Sequence, residues 1–377
     1  MKKQIIVFGD IEMGAGNLTD DFISDKILSR LIRNFAERQH PVDLVLNGDI
    51  FDFLKCPSQL NPSTYPRHIT REVSLAKLAL IYQAHPEVFQ ALKCFSAQKD
   101  KTIYFIIGNH DHDLYYKEVQ QEIQRLLGNS ARVQFPGLKY EDSNVYVEHG
   151  HQYDFLFQIN FENLFLEHKG QSLLNFPFVT FGLISSFMNM KEEHPFVERI
   201  FPRPELFTHH RLIAKRVTAK TIGYFLKSLL YYPFRFYSDP TYSFPTNVFR
   251  ELYKRLRNIN FEVDDITAIF RKKSRSAKYK IYVIGHIHEK RLAKSPKRVI
   301  IHPGSWRDEY DFQPKTRELL PRTKRHVEIT VADNTELSYE LVDTFIKRSI
   351  FDFDEVLKDE LRFIRQAAAE EEFKLQA

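Results

Sequence analysis

Cysteine and long apolar runs are scarce in this chain, and each scarcity excludes a class of protein. Its two cysteines, Cys56 and Cys94, cannot build a disulfide framework, which favours a reducing compartment. The longest mainly apolar stretch, residues 176–188, is shorter than the roughly 20 residues that a membrane-spanning helix needs. A strand pattern starts at Gln4 and leaves no room for a signal peptide. We therefore expect a cytoplasmic protein, with peripheral contact to a membrane as the alternative.

Short strings rich in glycine, aspartate and histidine recur along the chain, most of them directly after an apolar run that predicts a strand. Helical spacing in residues 22–38 and 73–95 separates the first three runs, and this alternation predicts a mainly parallel sheet. Because ligands bind beyond the carboxyl ends of such strands, we expect the strings to lie together. The runs are residues 4–8, 42–46, 102–107, 144–147 and 280–284. The strings are Gly9-Asp10-Ile11-Glu12, Gly48-Asp49-Ile50-Phe51-Asp52, Gly108-Asn109-His110-Asp111, His149-Gly150-His151, Gly285-His286-Ile287-His288 and His302-Pro303-Gly304-Ser305.

Aspartate, asparagine and histidine are the ligand types of a two-metal hydrolytic centre, where two cations roughly 3.5 to 4 Å apart share a bridging carboxylate. Such ions polarise a phosphoryl group and generate hydroxide from bound water near neutral pH. A single Gly-Asp after a strand is usually an ordinary turn, and a lone Gly-His-x-His could be a turn with two surface histidines. The ordered set favours a metal centre over these separate explanations.

The order and spelling of these strings resemble the calcineurin-like metallophosphoesterase superfamily, over about residues 1–154 and 280–345. The resemblance implies an α/β fold, a four-layer α/β/β/α sandwich, and an enzyme that hydrolyses phosphoester or pyrophosphate bonds with two divalent metal ions. It implies that Asp49 bridges the two metals. The other implied ligands are Asp10 and His288 for one metal and Asn109, His149 and His286 for the other.

The resemblance also assigns a catalytic histidine and contacts for an anionic phosphate-containing substrate. His110 matches the residue that stabilises the transition state or protonates the leaving oxygen, and Asp111 is expected to orient its imidazole and raise its pKa. Arg307 is a candidate phosphate contact. His151 is a second candidate for substrate binding, although an ordinary solvated histidine explains it equally well, as it does His112.

Glu12 departs from the family pattern, which has histidine two residues after the first aspartate. As a ligand, this carboxylate would make the first site harder and more negative, favouring Mn²⁺ or Mg²⁺. Mn²⁺ is the leading expectation, with Fe, Mg or Zn as alternatives. The other interpretation is that Glu12 turns away and the site is weaker. The same departure motivates a rival function, a non-catalytic scaffold that binds a protein partner.

The middle of the chain differs in composition and in periodicity from the part that carries the strings. Residues 155–278 show long helical patterns rich in phenylalanine and tyrosine, which predict a helical insertion that caps the active-site edge. The predicted organisation is a catalytic domain of residues 1–154 and 279–345, this cap, and a C-terminal helix in residues 346–377. Residues 203–298 contain 22 Lys and Arg against seven Asp and Glu, although the whole chain carries only +5.

Two anionic partners fit this basic, aromatic insertion. A lipid or membrane surface would take up the apolar side chains and pair its headgroups with the cations. Single-stranded nucleic acid would stack its bases on the aromatic rings, which makes a nuclease the alternative function. The string His149-Gly150-His151-Gln152-Tyr153-Asp154 resembles, more weakly, UDP-2,3-diacylglucosamine pyrophosphatases, where arginine usually stands at the position of His110. The plainest explanation of the aromatic residues is the core of the insertion itself.

The C-terminal part carries strand patterns and one helical stripe. Residues 298–301, 327–331 and 337–342, with a turn at Asp333-Asn334, predict antiparallel strands that complete a second sheet. Residues 350–375 place apolar side chains on one helical stripe, which we expect to dock on the chain's own domain.

Overall fold

Two β-sheets packed face to face form the centre of the molecule. A computed structural model describes residues 2–60, 64–243, 250, 266–273, 278–332 and 336–376. The strands are β1 (Lys3–Phe8), β2 (Val42–Asn47), β3 (Lys101–Ile106), β4 (Val133–Gly137), β5 (Lys139–Asp142), β6 (Val145–Glu148), β7 (Phe165–His168), β8 (Gln171–Leu174), β9 (Ile200–Phe201), β10 (Ile281–Ile284), β11 (Lys290–Lys294), β12 (Val299–Pro303), β13 (Tyr310–Gln313), β14 (Glu318–Pro321), β15 (Lys324–Val331), β16 (Leu337–Thr344) and β17 (Phe351–Asp352). The first sheet has the order β16-β15-β1-β2-β3-β4, and the second has the order β11-β12-β10-β6-β5.

Helices cover the outer faces of both sheets. The described helices are α1 (Asp25–Ala36), α2 (Arg71–Ala84), α3 (Pro86–Ala97), α4 (Lys117–Leu126), α5 (Phe178–Gly182), α6 (Met188–Glu193), α7 (Arg203–His209), α8 (Arg211–Leu230), α9 (Tyr232–Phe236), α10 (Ile266–Lys273), α11 (Phe353–Lys358) and α12 (Glu360–Glu370). Helices α1 to α4 pack on the first sheet, and α10 packs on the second. The break between α2 and α3 falls just before Pro86, the first residue of α3, because proline cannot continue a helix.

Side-chain alternation along β1 explains why the sheets stack. Ile5 and Val7 lie in the apolar layer between the two sheets, whereas Ile6 and Phe8 face the helices. Strands β1 to β4 run parallel, and so do β6, β10 and β12. The predicted four-layer α/β/β/α fold is confirmed, and its parallel strands direct their carboxyl ends to common edges.

The predicted grouping of the C-terminal strands is wrong. Strand β15 pairs antiparallel with β1 and with β16, so these two strands extend the first sheet. Strand β12 instead runs parallel to β10 in the second sheet. The cause is burial, since Val327 and Ile329 of β15 fill the layer between the sheets beside β1. The turn predicted at Asp333-Asn334 lies outside the described residues.

The segment predicted to be a helical insertion contains helices α5 to α10 and two small strand pairings. Strands β7 and β8 form a hairpin, whose central residues Lys169 and Gly170 have positive φ angles, as tight hairpin turns require. Strand β9 pairs with β13 of a four-stranded sheet ordered β17-β14-β13-β9. These strands were not expected in the segment. Its boundaries as a separate cap stay a prediction.

The C-terminal residues pack on this small sheet. Helices α11 and α12 contribute Phe353, Val356, Phe363 and Ile364 to an apolar cluster with Phe351 of β17. None of the described helices combines the length and the apolarity needed to cross a bilayer. Cys56 is buried and Cys94 is exposed, and neither forms a disulfide.

His85 connects the loop after β1 to the helices. Its Nδ1 lies 3.0 Å from the Asp25 carboxylate and its Nε2 lies 3.0 Å from Asp20 Oδ2. The same Asp20 oxygen accepts hydrogen bonds from the backbone N–H groups of Gly14 and Gly16. Burial alone would lower the pKa of His85, but the two carboxylates raise it to about 10. His85 is therefore charged at neutral pH.

We expect His85→Gln to lower the free energy of unfolding by about 3 kcal/mol near pH 6, because one partner of a buried ion pair is removed. The folded-state pKa lies above the unfolded value, so this contribution is complete below about pH 6.5 and is lost as the pH rises towards about 10. Urea unfolding at both ends of this range measures the difference. His209→Gln, on an exposed helix end, is the control. A difference that stays constant with pH would contradict the assignment.

Candidate metal centre

Five loops, each directly after a strand, bring the predicted ligands together. These side chains follow β1, β2, β3, β6 and β10 in turn: Asp10, Asp49, Asn109, His149, and His286 with His288. The parallel strands make this convergence possible, because their carboxyl ends meet at one edge of the sandwich. All six predicted ligands other than Glu12 lie in this one cluster.

The closest contacts in the cluster join nitrogen and oxygen atoms at hydrogen-bond or ion-pair distance. His149 Nε2 lies 3.2 Å from Asp49 Oδ2 and 3.1 Å from Asn109 Oδ1. His286 Nδ1 lies 2.7 Å from the same Asn109 oxygen. His288 Nε2 lies 3.4 Å from Asp10 Oδ1. Asn109 and Asp49 therefore sit between the groups contributed by the other loops.

The backbone of these loops is held in a conformation that non-glycine residues rarely adopt. Asp10, Asp49, His286 and His288 have φ angles of 51°, 49°, 73° and 52°. Each such residue costs about 1 kcal/mol or more, and such strain is common at functional sites. The loops also pack tightly, since a Cβ atom on Gly108 would overlap the Asp49 carboxylate. Glycine is therefore required before Asn109.

Each histidine of the cluster is fixed by a second acceptor on its outer nitrogen. His149 Nδ1 lies 3.1 Å from the Asn47 carbonyl oxygen, and His286 Nε2 lies 3.4 Å from Asp154 Oδ2. His288 Nδ1 lies 2.8 Å from Glu309 Oε1. Metal-binding histidines in proteins are oriented in this way, with the inner nitrogen directed at the ion.

Buried carboxylates give the cluster oxygen atoms that can attract cations. Asp10 is 0% exposed and Asp49 is 1% exposed. Burial alone would raise the pKa of Asp49, but His149 and His110 hold it well below its usual range, so the carboxylate stays charged. Ionised oxygens, an amide oxygen and oriented imidazoles form the donor set that Mn²⁺, Fe, Zn²⁺ and Mg²⁺ accept in proteins. The residues present therefore fit a pair of divalent ions.

His110 is oriented by a different carboxylate from the one that the sequence predicts. Its Nδ1 lies 2.9 Å from Asp52 Oδ1. Asp111 instead accepts hydrogen bonds from the backbone N–H groups of Ile50 and Gly108. Burial and the Asp49 charge raise the pKa of Asp111 to about 7. Asp111 thus joins the two loops that carry Asp49 and Asn109, because it accepts hydrogen bonds from their backbone rather than from the imidazole.

Glu12 points both towards the cluster and towards two buried cations. Its Oε1 lies 3.4 Å from His288 Nε2 and 3.4 Å from Arg307 Nη1. Its Oε2 lies 3.0 Å from Lys55 Nζ. Burial would raise the pKa of Glu12, but Arg307, His110, Lys55 and His288 lower it to about 2, so it is ionised. One oxygen of Glu12 therefore faces the predicted ligand His288, as the ligand interpretation requires. The other oxygen faces Lys55, as expected of a group turned away.

Arg307 lies in a buried network of charges rather than on an open surface. Its side chain is 3% exposed and pairs with Asp21 at 2.7 Å and with Glu198 at 3.3 Å. Its predicted contact with a substrate phosphate stays a prediction. Lys55 pairs with the same two residues and with Asp52. Lys55 and Asp21 were not predicted from the sequence, because no local pattern marks either residue.

The segment 155–278 contributes charges to this network. Lys191, in α6, lies 2.7 Å from Asp21 Oδ1 and 3.1 Å from Glu198 Oε2. Arg199 lies 2.6 Å from Asp308 Oδ2 and donates a hydrogen bond to the Asp20 carbonyl oxygen. These contacts fix this part of the segment beside the cluster.

His151 and His112 are buried close to the cluster, so the expectation of ordinary solvated histidines is wrong for both. They are 1% and 3% exposed, and their ring centroids lie 5.8 Å apart. Burial lowers the pKa of His112 to about 3 and that of His151 well below its usual value, so both are neutral. Among the described residues, His151 Nδ1 has no hydrogen-bond partner. Its predicted contact with substrate stays a prediction.

Comparison with solved structures finds distant likenesses. A predicted phosphoesterase from Streptococcus pneumoniae is 10% identical over 91% of this chain and 90% of its own, with a TM-score of 0.29. A candidate 5′-nucleotidase from Staphylococcus aureus is 12% identical over 96% of this chain and 58% of its own, with a TM-score of 0.33. A phosphopantetheinyl hydrolase from Mycobacterium tuberculosis is 11% identical over 81% of this chain and 90% of its own, with a TM-score of 0.27.

Comparison with protein families identifies a family to which more than half of the chain matches. A search of curated proteins finds no match. A model of the family described as calcineurin-like phosphoesterase matches residues 3–215, which is more than half of the chain and includes the loops after β1, β2, β3 and β6. The ordered strings, the four-layer fold and this match agree. The chain belongs to the calcineurin-like phosphoesterase family.

Proposed function

We propose that this chain hydrolyses a phosphoester or pyrophosphate bond with two divalent metal ions, of which Mn²⁺ is the leading candidate. The observation that carries the proposal is the orientation of three histidines, each held by an outer acceptor with its inner nitrogen directed at buried carboxylate or amide oxygens. Such an arrangement is characteristic of metal ligands.

The ligand assignment is the one that the family resemblance implies, and the contacts between these side chains support it. Asp10, Asp49 and His288 would hold one ion, and Asn109, His149 and His286 would hold the other, with Asp49 shared. When bound, two divalent ions polarise a phosphoryl group and lower the pKa of water to near neutrality. The chain supplies a dry, negatively charged edge that favours cations, and the bound cations would in turn attract the substrate phosphate.

His110 is the residue best placed to act on the leaving group. Its Nδ1 is fixed by Asp52, and its side chain is 13% exposed, more than those of Asp49 and His149. Burial would lower its pKa, but Glu12, Asp52 and Asp49 raise it to about 9. A protonated, oriented imidazole at the mouth of the site can donate a proton to the departing oxygen.

We expect His110→Ala to lower kcat by about 10²- to 10⁴-fold, the usual contribution of a general acid. The loss should be larger for phenyl phosphate esters than for p-nitrophenyl esters, because the better leaving group needs less protonation. Asp52→Asn should reduce kcat in the same direction and less severely, since the imidazole loses its orienting charge. Steady-state kinetics with both esters and Mn²⁺ measures the effect.

The control for His110 is His209→Ala, which removes an exposed histidine far along the chain and should leave the kinetics unchanged. Equal losses on the two esters would show that His110 does not protonate the leaving oxygen. Unchanged turnover in His110→Ala would remove the mechanism altogether.

The role of Glu12 is tested by its neutral isostere. We expect Glu12→Gln to weaken binding of one metal equivalent at least about tenfold, because a ligand oxygen loses its charge while its shape is kept. Calorimetric titration with Mn²⁺ and elemental analysis after desalting measure the two equivalents. Asp21→Asn is the matched control, since Asp21 shares Lys55 and Arg307 but makes no contact with His288. Equal weakening in both variants would assign the effect to net charge and not to ligation.

For the substrate, we propose a lipid-linked phosphate presented at an anionic membrane surface. The support is an exposed stripe on α8 and α9 that we call the apolar-cationic face. Its apolar members, all at least 45% exposed, are Leu212, Ile222, Leu226, Leu229, Leu230, Tyr231, Phe234, Phe236 and Tyr237. Six Lys and Arg lie within residues 211–237, and this stretch contains no Asp or Glu. Apolar side chains interspersed with cations suit an anionic bilayer.

Aliphatic side chains favour the membrane over nucleic acid as the partner. Bases gain binding energy by stacking on aromatic rings, whereas leucine and isoleucine offer them no such surface. Five members of the face are leucine or isoleucine, and Leu212 and Leu230 are 70% and 67% exposed. In a bilayer each of these side chains is transferred out of water, so each contributes.

We expect the double variant Phe234→Ser/Tyr237→Ser to bind anionic vesicles at least about tenfold more weakly, because two large exposed aromatic side chains no longer insert. Co-sedimentation with phosphatidylglycerol vesicles, and with phosphatidylcholine vesicles for comparison, measures this. Phe345→Ser is the matched control, since Phe345 is 88% exposed but lies outside the face. Tighter binding of wild type to a single-stranded oligonucleotide than to vesicles would favour the nuclease.

A further inference from the structure

Three potential metal ligands meet outside the phosphoesterase centre. His68, His168 and Asp239 each offer a ligand atom, and these atoms all lie within 4.8 Å of one another. His68 Nε2 lies 2.8 Å from Asp239 Oδ2, and the two imidazole centroids lie 5.0 Å apart. We call this group the His-His-Asp cluster.

The cluster joins three chain segments that are distant in sequence. His68 lies in the loop before α2, and His168 is the last residue of β7, directly before the hairpin turn. Asp239 follows α9 and caps a short 3₁₀ turn at residues 240–242. An ion bound here would connect the first helical layer, the β7–β8 hairpin and the end of α9.

The donor set and its surroundings suit a transition metal. Two imidazoles and one carboxylate are common ligands of Zn²⁺, with a water in the remaining position. Asp239 Oδ1 accepts hydrogen bonds from Thr241 N at 3.1 Å and Thr241 Oγ1 at 2.7 Å. These contacts orient the carboxylate so that Oδ2 faces His68, as outer contacts orient ligands in known metal sites. The His68 side chain is 38% exposed, which gives an ion an entry path.

We propose that the His-His-Asp cluster binds one divalent transition-metal ion, with Zn²⁺ as the preferred ion, separately from the phosphoesterase centre. Arg67, the residue before His68, already makes an attachment in this region that the ion would reinforce. Arg67 lies over the rings of Phe181 and Tyr242 at 4.4 Å and 4.3 Å and donates a hydrogen bond to the Thr241 carbonyl oxygen at 2.6 Å. The metal would add a second attachment beside Arg67, holding the base of the apolar-cationic face against the catalytic sandwich.

The test counts metal ions in the full-length protein. Wild type, His168→Ala and Asp239→Asn are saturated with Zn²⁺, desalted and analysed for zinc per chain. We expect each variant to retain about one equivalent fewer than wild type, and to lose the visible absorption of a tetrahedral Co²⁺ complex after cobalt loading. Zn²⁺ should also raise the Tm of wild type more than that of either variant, because binding to the folded state stabilises it.

His209→Ala is the matched control, since it removes an exposed histidine of the same segment that takes no part in the cluster, and it should retain the wild-type stoichiometry. Circular dichroism and turnover on an aryl phosphate ester report whether each variant is folded and whether the phosphoesterase centre is intact. Wild-type zinc content and an unchanged cobalt spectrum in folded His168→Ala and Asp239→Asn would mean a hydrogen-bonded cluster only, and would overturn the proposal. Because turnover is measured independently, this outcome leaves the proposed function standing.

Discussion

Burial of many carboxylates at one edge of the sandwich is the constraint on which the rest of the structure depends. Asp10, Glu12, Asp21, Asp49 and Asp52 are each at most 1% exposed. Removing such charges from water costs several kcal/mol apiece unless cations lie close by. The chain supplies Lys55, Lys191 and Arg307 on one side of this edge, and on the other side a set of predicted ligands whose charge bound metal ions would neutralise. The predicted metal ligands and the buried ion pairs therefore form one continuous network of charges.

This continuity explains how the segment between the two parts of the sandwich is attached. Lys191 and Arg199 contact Asp21 and Asp308, while Phe176 and Met188 of the same segment pack in the apolar core of the first sheet. Ion pairs buried in this way hold their geometry strongly, because a partner that moves leaves an unpaired charge in a dry environment. The segment therefore has a fixed base, while the apolar-cationic face on α8 and α9 stays exposed.

The convergence of the candidate ligands could be predicted from the sequence because the information about them is local. Each follows a recognisable strand, and the parallel sheet brings the strand ends together without further specification. Lys191 and Asp21 are 170 residues apart, and no pattern in either neighbourhood indicates the other. Asp52 was inside a recognised string, but its contact with His110 depends on the path of the loop and not on spacing. The sheet that β15 joins was predicted wrongly for the same reason. The sequence marks β15 as an apolar strand but does not indicate which sheet edge it joins.

The Glu12 side chain contacts both the predicted metal ligands and the buried cations. Its Oε2 is held by Lys55 while its Oε1 faces His288, so the carboxylate has one oxygen in each set of contacts. An oxygen that shares its charge with Lys55 and Arg307 would be a weaker electron donor than an isolated carboxylate, although still a hard, anionic one. Glutamate at the position of the family's histidine would therefore add less negative charge to the first proposed metal site than the residue type alone suggests. Because Lys55 and Arg307 offset this charge, the affinity of the proposed site would depend on the buried network as a whole.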